Sequence, residues 1–432
     1  MEAPLVFWGG ILIFVVLFVA GAPIWLSLAV SGVFLSLFYS GMATMNIAST
    51  LFSSVNSFVL LAVPFFLLGG NIMARCGPAK HLFEGMDAVV GGLPGGLPLA
   101  TVFTCMIFAA ITGSTLATLV AVGSIAVPPM IEKGYPKRFT LGLMCVCGTL
   151  GQIIPPSIYM ILYGAYVQEN VARLFMGGLI PGIILGLIIA AVAAIISWRR
   201  GFGIATRTKL SGREKLRRVL WAIPAGIMPL IILGGIYAGI FTPTEAASVA
   251  CVYAFLVSWL VYKGLNRQNF LEAAKATAGT SSMIFLIVVA VIIFAGPLTY
   301  AQIPQNITKA LVGMGFGTYG FIFMAIGLYL VLGLFLDPLP ILYLTVPVLL
   351  HGMLALGIDL THFCVITIIC MQIAQVTPPF GVSLYCTSQV FREPMQNVIR
   401  SAIPYLLILI LTLPLFVYFP QLTLWLPKML GM

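Results

Sequence analysis

Charged residues are absent from several long stretches of the chain. Asp, Glu, Lys and Arg do not occur in residues 3–74, 88–131, 174–198 and 276–308. A helix needs about 20 apolar residues to cross a bilayer about 30 Å thick, so residues 88–131 are long enough for more than one pass. A membrane β-barrel would show alternating strands of about 10 residues, and the sequence lacks them. The pattern predicts membrane-spanning helices that satisfy their own backbone hydrogen bonds.

Several apolar segments fit single spans, at about 4–20, 23–39, 139–163, 175–198, 219–241, 244–262, 277–300 and 401–426. The first is not expected to be a cleaved signal, because it lacks a basic leading region and a clear cleavage site. Composition agrees, since 61% of the residues are hydrophobic and only 7% are charged. Soluble domains have about 25% charged residues, so an ordinary soluble enzyme, a disordered chain and a nucleic-acid-binding domain are excluded.

The loop 199–218 sets the predicted orientation. It carries eight Lys and Arg residues against a single acidic residue, Glu214. Cytoplasmic loops of membrane proteins collect basic residues, which also explains the net charge of +10. Counting spans outward from this loop places Arg392 and Arg400 inside and both chain termini outside.

Two apolar segments do not fit as simple spans. On the predicted orientation, 97–130 must begin and end inside, and 319–350 must begin and end outside. Each is long enough for two short helices that enter the membrane and turn back. We expect re-entrant hairpins that turn near 113–115 and near 333–338. Such polar turns are tolerated at membrane depth only when they are buried in protein or line a wet cavity.

The two halves of the chain share an order of elements. Gly134 lies 21 residues before Pro155-Pro156, and Gly357 lies 21 residues before Pro378-Pro379. In both halves a hairpin precedes a span that contains the proline pair, and the predicted orientations of the two halves are opposite. The sequence therefore predicts an all-α polytopic membrane protein built from an inverted repeat.

The proline pairs predict breaks in both spans. Proline removes a backbone donor and pushes the preceding residue out of the helical region, so unwinding is expected near Ile154 and Thr377. Gln152 and Gln375 occupy the same offset before the two pairs. Inverted repeats with matching broken helices are typical of secondary transporters and mark the binding site. The alternative is two kinked helices that bind no ligand.

Unwound backbone and Ser, Thr or Asp side chains supply the oxygen ligands that suit a hard cation such as Na⁺. The candidate Na⁺ ligands lie near the hairpin tips and breaks: Gly113, Ser114, Thr115, Thr118, Gly148, Thr149, Ile154, Gly333, Asp337, Gln372, Thr377 and Gly381. Gly151 and Gln375 lie beside them. The alternative for each hydroxyl is a hydrogen bond back to its own helix.

Asp337 is the most informative single residue. It is the only acidic residue between Glu272 and Asp359, and it falls at the predicted tip of the second hairpin. An ionisable group at membrane depth is costly and indicates function. Its carboxylate could bind Na⁺ or carry a proton. The structural alternative is an N-cap for a helix that begins at Pro338.

Together these segments resemble the large membrane subunit of the tripartite ATP-independent periplasmic (TRAP) transporters, over nearly the whole chain. The resemblance rests on segments that occur in order: Gly113-Ser114-Thr115-Leu116-Ala117-Thr118, Gly148-Thr149-Leu150-Gly151, Ile154-Pro155-Pro156-Ser157, Phe241-Thr242-Pro243-Thr244-Glu245-Ala246, Asp337-Pro338 and Thr377-Pro378-Pro379-Phe380-Gly381. Three positions depart from the family's usual residues, namely Cys370, Ala374 and Ser383.

The resemblance implies an elevator-type, Na⁺-coupled importer of an organic acid in the bacterial inner membrane, with two or more Na⁺ sites where each hairpin tip meets a broken helix. Both termini would be periplasmic. A four-helix small membrane subunit and a periplasmic substrate-binding protein would be its partners. The substrate could be a C4-dicarboxylate, a sialic acid, a sulfonate or another acid. Candidate substrate contacts are Ser114, Thr115, Pro155, Ser157, Pro378 and Ser383.

The expected organisation alternates static scaffold helices with halves of a moving transport domain. Scaffold segments are expected at 1–75, 176–300 and 401–432, the last as a single C-terminal helix. The halves of the transport domain are expected at 76–175 and 301–400. Glu245 could be a charge at a helix N-terminus or an interdomain contact.

Two other functions compete with this interpretation. A stand-alone Na⁺/anion symporter would work without a binding protein, and a channel would conduct without saturating. An enzyme is not expected, because the sequence contains no Ser-His-Asp, HExxH or P-loop pattern.

Overall fold

The computed structural model describes residues 2–203, 210–313 and 317–432, and all regular structure within them is helical. The first ten helices are α1 Glu2–Val19, α2 Ile24–Phe38, α3 Thr44–Val55, α4 Ala62–Arg75, α5 Pro78–Val90, α6 Gly96–Thr112, α7 Thr115–Glu132, α8 Lys137–Thr149, α9 Ile158–Val167 and α10 Val171–Arg200. The next ten are α11 Gly212–Tyr237, α12 Pro243–Leu256, α13 Arg267–Tyr300, α14 Ile303–Gly313, α15 Thr318–Leu332, α16 Pro338–Ala355, α17 Leu360–Val376, α18 Val382–Phe391, α19 Met395–Tyr418 and α20 Gln421–Met429. The part of the basic loop at 204–209 lies outside the described residues.

Among the described helices, seven are long and apolar enough to cross a membrane: α7, α10, α11, α12 with the π-helical turn Val257–Val261 that extends it, α13, α16 and α19. Helices α3 and α4 would form an eighth span if they count as one, with a bend of 57° between them. The predicted spans at 175–198, 219–241, 244–262 and 277–300 are confirmed as α10 to α13.

Both hairpins turn where the sequence predicts. Only Gly113 and Ser114 separate α6 from α7, and Gly113 has a φ of +59°. Glycine adopts this left-handed conformation without steric cost because it has no Cβ. Ser114 then caps α7, its hydroxyl accepting a hydrogen bond from the amide of Ala117 at 3.4 Å. The second hairpin joins α15 to α16 through residues 333–337.

Both spans with a proline pair are broken. Helix α8 ends in a 3₁₀ turn, Leu150–Gln152, and helix α9 begins only after Ser157. Helix α17 ends at Val376, and α18 begins at Val382. The Pro155–Pro156 and Pro378–Pro379 peptide bonds are both cis. The predicted unwinding is thus confirmed at both pairs.

The ends of the two broken helices match as well. Gly134 and Gly357, which precede α8 and α17, have φ values of +82° and +62°. Gln168 and Arg392, which end α9 and α18, have φ values of +59° and +48°. The order from α6 to α9 therefore recurs from α15 to α18.

Ion pairs show that the two broken helices run in opposite directions. Lys137, at the start of α8, pairs with Glu393, just beyond the end of α18. Arg173, shortly after the end of α9, donates to the carboxylate of Asp359 at 2.7 Å, and Asp359 is the N-cap of α17. Each broken helix begins where the other ends, so the repeat is inverted.

The helices pack in two groups. The frame comprises α1–α5 and α11–α13, in which α2 lies along α13, α4 along α12 and α5 along α11. The hairpin body comprises α6–α10 and α15–α20, in which α10 packs against α6 and α20, and α19 packs against α8 and α17. The close approach of α8 to α19 requires a glycine, since a Cβ on Gly142 of α8 would lie 2.0 Å from the carbonyl oxygen of Ser401 in α19.

This packing differs from the expected segment boundaries. The boundaries at 175/176 and 400/401 fall inside α10 and α19, two continuous helices that belong to the hairpin body. The C-terminal segment contains two helices instead of one, because Pro420 lacks an amide donor and restricts the residue before it. Helix α5, expected with the first hairpin, lies mainly along α11. Which parts move and which stay static remains a prediction.

Helix α12 begins with a capping box. The hydroxyl of Thr242 accepts a hydrogen bond from the amide of Glu245 at 3.3 Å, and the Glu245 carboxylate accepts from the amide of Thr242 at 2.8 Å. The Thr244 hydroxyl donates to the carbonyl of Phe58 at 3.0 Å, which joins this helix start to the turn before α4. Glu245 thus acts locally, satisfying the first turn of its own helix.

We expect Thr242→Ala to lower the free energy of unfolding by about 1 kcal/mol, since the exposed amides of the first turn lose their acceptor. Thermal unfolding in detergent measures the effect. Thr299→Ala is the matched control, because the Thr299 hydroxyl bonds back to Ala295 within α13 and caps no helix. Equal melting temperatures for the two variants would contradict a stabilising cap.

Candidate functional site

A cavity of about 150 Å³ lies where the two hairpin tips, the two broken helices and α13 meet. Apolar side chains from α4, α7, α13 and α16 form part of its wall. Its polar side chains come from both repeats and from the frame: Ser114, Thr115, Tyr159, Thr280, Asp337 and Gln375. The fold therefore brings two sequence-distant tips to one site.

The first tip fits tightly against the first break. A Cβ on Gly113 would lie 2.5 Å from the carbonyl oxygen of Pro156, and a Cβ on Gly151 would lie 2.9 Å from that of Ser114. Behind the tip, the Thr118 hydroxyl donates to the carbonyl of Ser114 at 2.9 Å. The hydroxyl of Thr115 is buried and has no hydrogen-bond partner among the residues that the structure describes. This tip thus presents an unused oxygen on a closely packed backbone.

The second tip presents Asp337. This residue is the N-cap of α16, but its side chain makes no capping hydrogen bond. It also has no ion-pair partner within 4.0 Å among the described residues. Asp337 therefore occupies the N-cap position that the structural alternative predicts but does not make the capping bond, and it lines the cavity. Gly333 fixes this tip to α17, since a Cβ there would lie 2.6 Å from the Cβ of Ala374.

One hydrogen bond links the two breaks. The amide nitrogen of Gln372 donates to the carbonyl of Thr149 at 3.0 Å. The amide oxygen of Gln372 is buried and has no partner in the described ranges. The hydroxyls of Thr149 and Thr377 bond back to their own helices, to Val146 and Ile373, each at 2.7 Å. For those two hydroxyls the back-bonding alternative is the one the structure shows.

Of the candidate residues, Gly113, Ser114, Thr115 and Asp337 line the cavity. The remaining Na⁺ and substrate candidates lie in the tips and breaks but outside its lining: Thr118, Gly148, Thr149, Ile154, Pro155, Ser157, Gly333, Gln372, Thr377, Pro378, Gly381 and Ser383. Ser157 caps α9 because its hydroxyl accepts a hydrogen bond from the amide of Met160 at 3.4 Å, and the same hydroxyl donates to the carbonyl of Gln152. The hydroxyl of Ser383 is buried and unpaired.

A groove of about 300 Å³ continues from the cavity between α4 and α7. Leu67, Ser114, Leu116 and Thr280 line both. The groove reaches Arg75 at the end of α4, which pairs with Glu272 at 2.7 Å. On the predicted orientation this end is cytoplasmic.

Sequence reasoning missed three polar groups of this site. Tyr159 lies three residues after the first proline pair, and Asn71 donates to the hydroxyl of Thr277 at 3.0 Å within the groove wall. Thr280 belongs to a short polar run, 279–282, inside the otherwise apolar α13. This polar run could have been used to predict that α13 faces a polar site. Tyr159 gave no such signal, because a single tyrosine near a membrane interface is common.

Comparison with known proteins gives a consistent result. The family profile described as "Tripartite ATP-independent periplasmic transporter, DctM component" matches residues 11–422. The chain is 39% identical over 409 residues to the C4-dicarboxylate TRAP transporter large permease protein DctM of Pseudomonas aeruginosa, covering 94% of this chain and 95% of that protein. It is 36% identical over 433 residues to the protein of the same name from Vibrio cholerae, covering 95% of each.

The fold also resembles a solved structure, the YdaH transporter of Alcanivorax borkumensis. The TM-score is 0.61 over 87% of this chain and 88% of that one, at 14% sequence identity. These two relatives, which match over 95% of their length, are transporter permeases and not enzymes. The chain is a multi-pass membrane protein that belongs to the DctM component family of the tripartite ATP-independent periplasmic transporters.

Proposed function

We propose that this permease imports an organic acid anion together with Na⁺ by an elevator movement, and that a C4-dicarboxylate is its substrate. The observation that carries the proposal is the cavity between the two hairpin tips, with Asp337 on its wall. The names of the Pseudomonas and Vibrio relatives support the substrate class.

Charge balance supports coupling to cations. Among the described residues that line the cavity, none is Lys, Arg or His, and Asp337 is negative when ionised. An organic anion entering this space meets a carboxylate in a poorly solvated environment, where like charges repel strongly. Cations that enter with the anion remove this repulsion. Each ligand then favours binding of the other, which is the requirement for coupled transport.

The available ligands suit Na⁺. Hard cations prefer carboxylate, carbonyl and hydroxyl oxygens, and the tips and breaks offer unpaired oxygens on Thr115, Gln372 and Asp337. Two Na⁺ ions would offset two of the three negative charges of a dianion and the carboxylate, and a third ion would offset all of them. Each ion that moves down a potential of 100 mV supplies about 2.3 kcal/mol.

Tight packing supports movement as one body. Gly113 on Pro156, Gly333 on Ala374 and the bond from Gln372 to Thr149 connect both tips to both breaks. A substrate held between the tips would travel with the whole hairpin body relative to the frame. Small sliding motions of packed helices are an established route for such transitions.

The partners follow from the family. We infer that a four-helix small membrane subunit completes the frame in the lipid bilayer of the bacterial inner membrane, and that a periplasmic binding protein delivers the acid. A stand-alone Na⁺/anion symporter is the alternative. The two differ in whether uptake requires the binding protein.

Reconstitution with the small subunit in liposomes tests the proposal. Uptake of labelled succinate is expected only with an inward Na⁺ gradient and the cognate binding protein, and a tenfold gradient should contribute about 1.4 kcal/mol per ion. Collapsing the gradient with a Na⁺ ionophore is the control. Uptake that needs Na⁺ alone would support the stand-alone symporter, and uptake independent of Na⁺ would contradict coupling.

A further inference from the structure

Two glutamines occupy equivalent positions in the inverted repeat. Gln152 and Gln375 each lie three residues before a proline pair, Gln152 in the 3₁₀ turn and Gln375 in the last turn of α17. Both are buried, with exposed fractions of 0% and 5%. Within the described part of the chain, neither amide atom of Gln152 has a hydrogen-bond partner, and the amide oxygen of Gln375 has none.

The hydroxyl of Tyr159 lies beside both glutamines. It neighbours the side chains of Gln152 and Gln375, one from each repeat, and it lies near the carboxylate of Asp337. Tyr159 and Gln375 line the cavity, whereas Gln152 lies outside its lining. The inverted repeat thus converges on one tyrosine at the wall of the transport cavity.

Buried amides without partners are uncommon in folded proteins, because burial removes their hydrogen bonds to water and no hydrogen bond within the protein replaces them. The contrast with Gln372 is informative, since that nearby amide donates to Thr149. The unpaired oxygen of Gln375 is an acceptor, but the nitrogen of the same amide is a donor, and together with the phenol of Tyr159 it can serve a bound molecule that carries hydrogen-bond acceptors. Both groups are neutral, so they can orient an anion without holding it by charge.

We propose that Tyr159 and Gln375 contact the substrate and recognise a carboxylate of the organic acid through neutral hydrogen-bond donors. Gln152 is a positioning residue that lies next to the Tyr159 hydroxyl and limits the directions in which it can point. The inference rests on the proposed transport function and assigns residues to substrate selection within it. Charge neutralisation is left to the cations, and a site without Lys or Arg releases the acid once they leave.

The test measures uptake by the complete complex in liposomes at saturating Na⁺, with labelled succinate, malate, fumarate and isethionate. Tyr159→Phe and Gln375→Ala are expected to raise KM for the carboxylic acids at least tenfold and to leave the Na⁺ concentration for half-maximal rate within twofold of wild type. Tyr166→Phe is the matched control, since it removes a phenol from the same helix outside the cavity lining. It should leave both constants unchanged.

The positioning role of Gln152 is tested by asking whether its effect on KM adds to that of Tyr159. Gln152→Ala alone should raise KM for succinate several-fold, and the double variant Gln152→Ala/Tyr159→Phe should be no worse than Tyr159→Phe. Residues that act through one group show such coupling, whereas independent structural damage adds. Additive losses would overturn the positioning role of Gln152.

Two results would overturn the substrate assignment. Unchanged KM values in Tyr159→Phe and Gln375→Ala would show that neither side chain contacts the acid. A changed Na⁺ requirement with unchanged KM for the acid would show that the amide oxygen holds a cation instead. If the wild-type complex imports none of the four acids, the proposed substrate class is wrong, and the assignment of these three residues fails with it. If the wild type imports the acids and the variants do so with unchanged KM, only the residue assignment is wrong.

Discussion

Asp337→Asn is expected to abolish Na⁺-dependent uptake while the protein remains folded. The rate should fall on the order of 100-fold, which corresponds to about 2.7 kcal/mol of lost stabilisation. Asparagine keeps the shape of the side chain and its place before Pro338, but it removes the negative charge at the cavity wall. Because the native carboxylate makes no capping bond, the substitution should cost little stability.

Uptake of labelled succinate into liposomes, with melting temperature as a second readout, checks this expectation. Asp87→Asn is the control, since Asp87 pairs with Arg218 at 3.8 Å outside the cavity lining. Wild-type uptake in Asp337→Asn would contradict the cation site. A large loss of melting temperature would instead identify Asp337 as a structural residue.

Gly113→Ala is expected to damage the first tip far more than a glycine replacement elsewhere. The left-handed φ of +59° costs a residue with a Cβ about 1–2 kcal/mol. The new Cβ would also lie 2.5 Å from the carbonyl oxygen of Pro156, so the tip must separate from the break. We expect uptake to fall on the order of tenfold or more, as positioning losses of about 1 Å do.

Gly134→Ala provides the comparison. Gly134 has a φ of +82°, but nothing lies within 4 Å of a Cβ built there. It should therefore show the conformational cost alone, with a modest drop in melting temperature and near-normal uptake. Similar uptake in the two variants would show that close contact between the first tip and the first break is not needed for transport.

The sequence predicted the hairpins and breaks well because each depends on local chemistry. Gly113 supplies a left-handed turn, the proline pairs remove backbone donors, and the equal spacing from Gly134 and Gly357 exposes the repeat. The position of Asp337 at a tip followed from the same kind of signal, since a glycine and a proline flank the predicted turn at 333–338. These features require no knowledge of what packs against them.

Tertiary packing decided the rest. Tyr159 and Thr280 reach the cavity only because α9 and α13 both border the space between the tips. The hydroxyls of Thr149 and Thr377 could have faced an ion or their own helices, and the structure shows the latter. Likewise, α10 and α19 pack with the hairpin body, although their sequences resemble those of ordinary membrane spans. Hydrophobicity locates a helix but not its neighbour.

The bond between the breaks also bears on biosynthesis. The carbonyl of Thr149 is satisfied by Gln372, a residue 223 positions later in the chain. A ribosome adds about 5–20 residues per second, so the first break waits for tens of seconds or less before its partner exists. Until the second repeat has entered the membrane, the first break therefore lacks this bond, and nothing yet holds the two breaks together at this point.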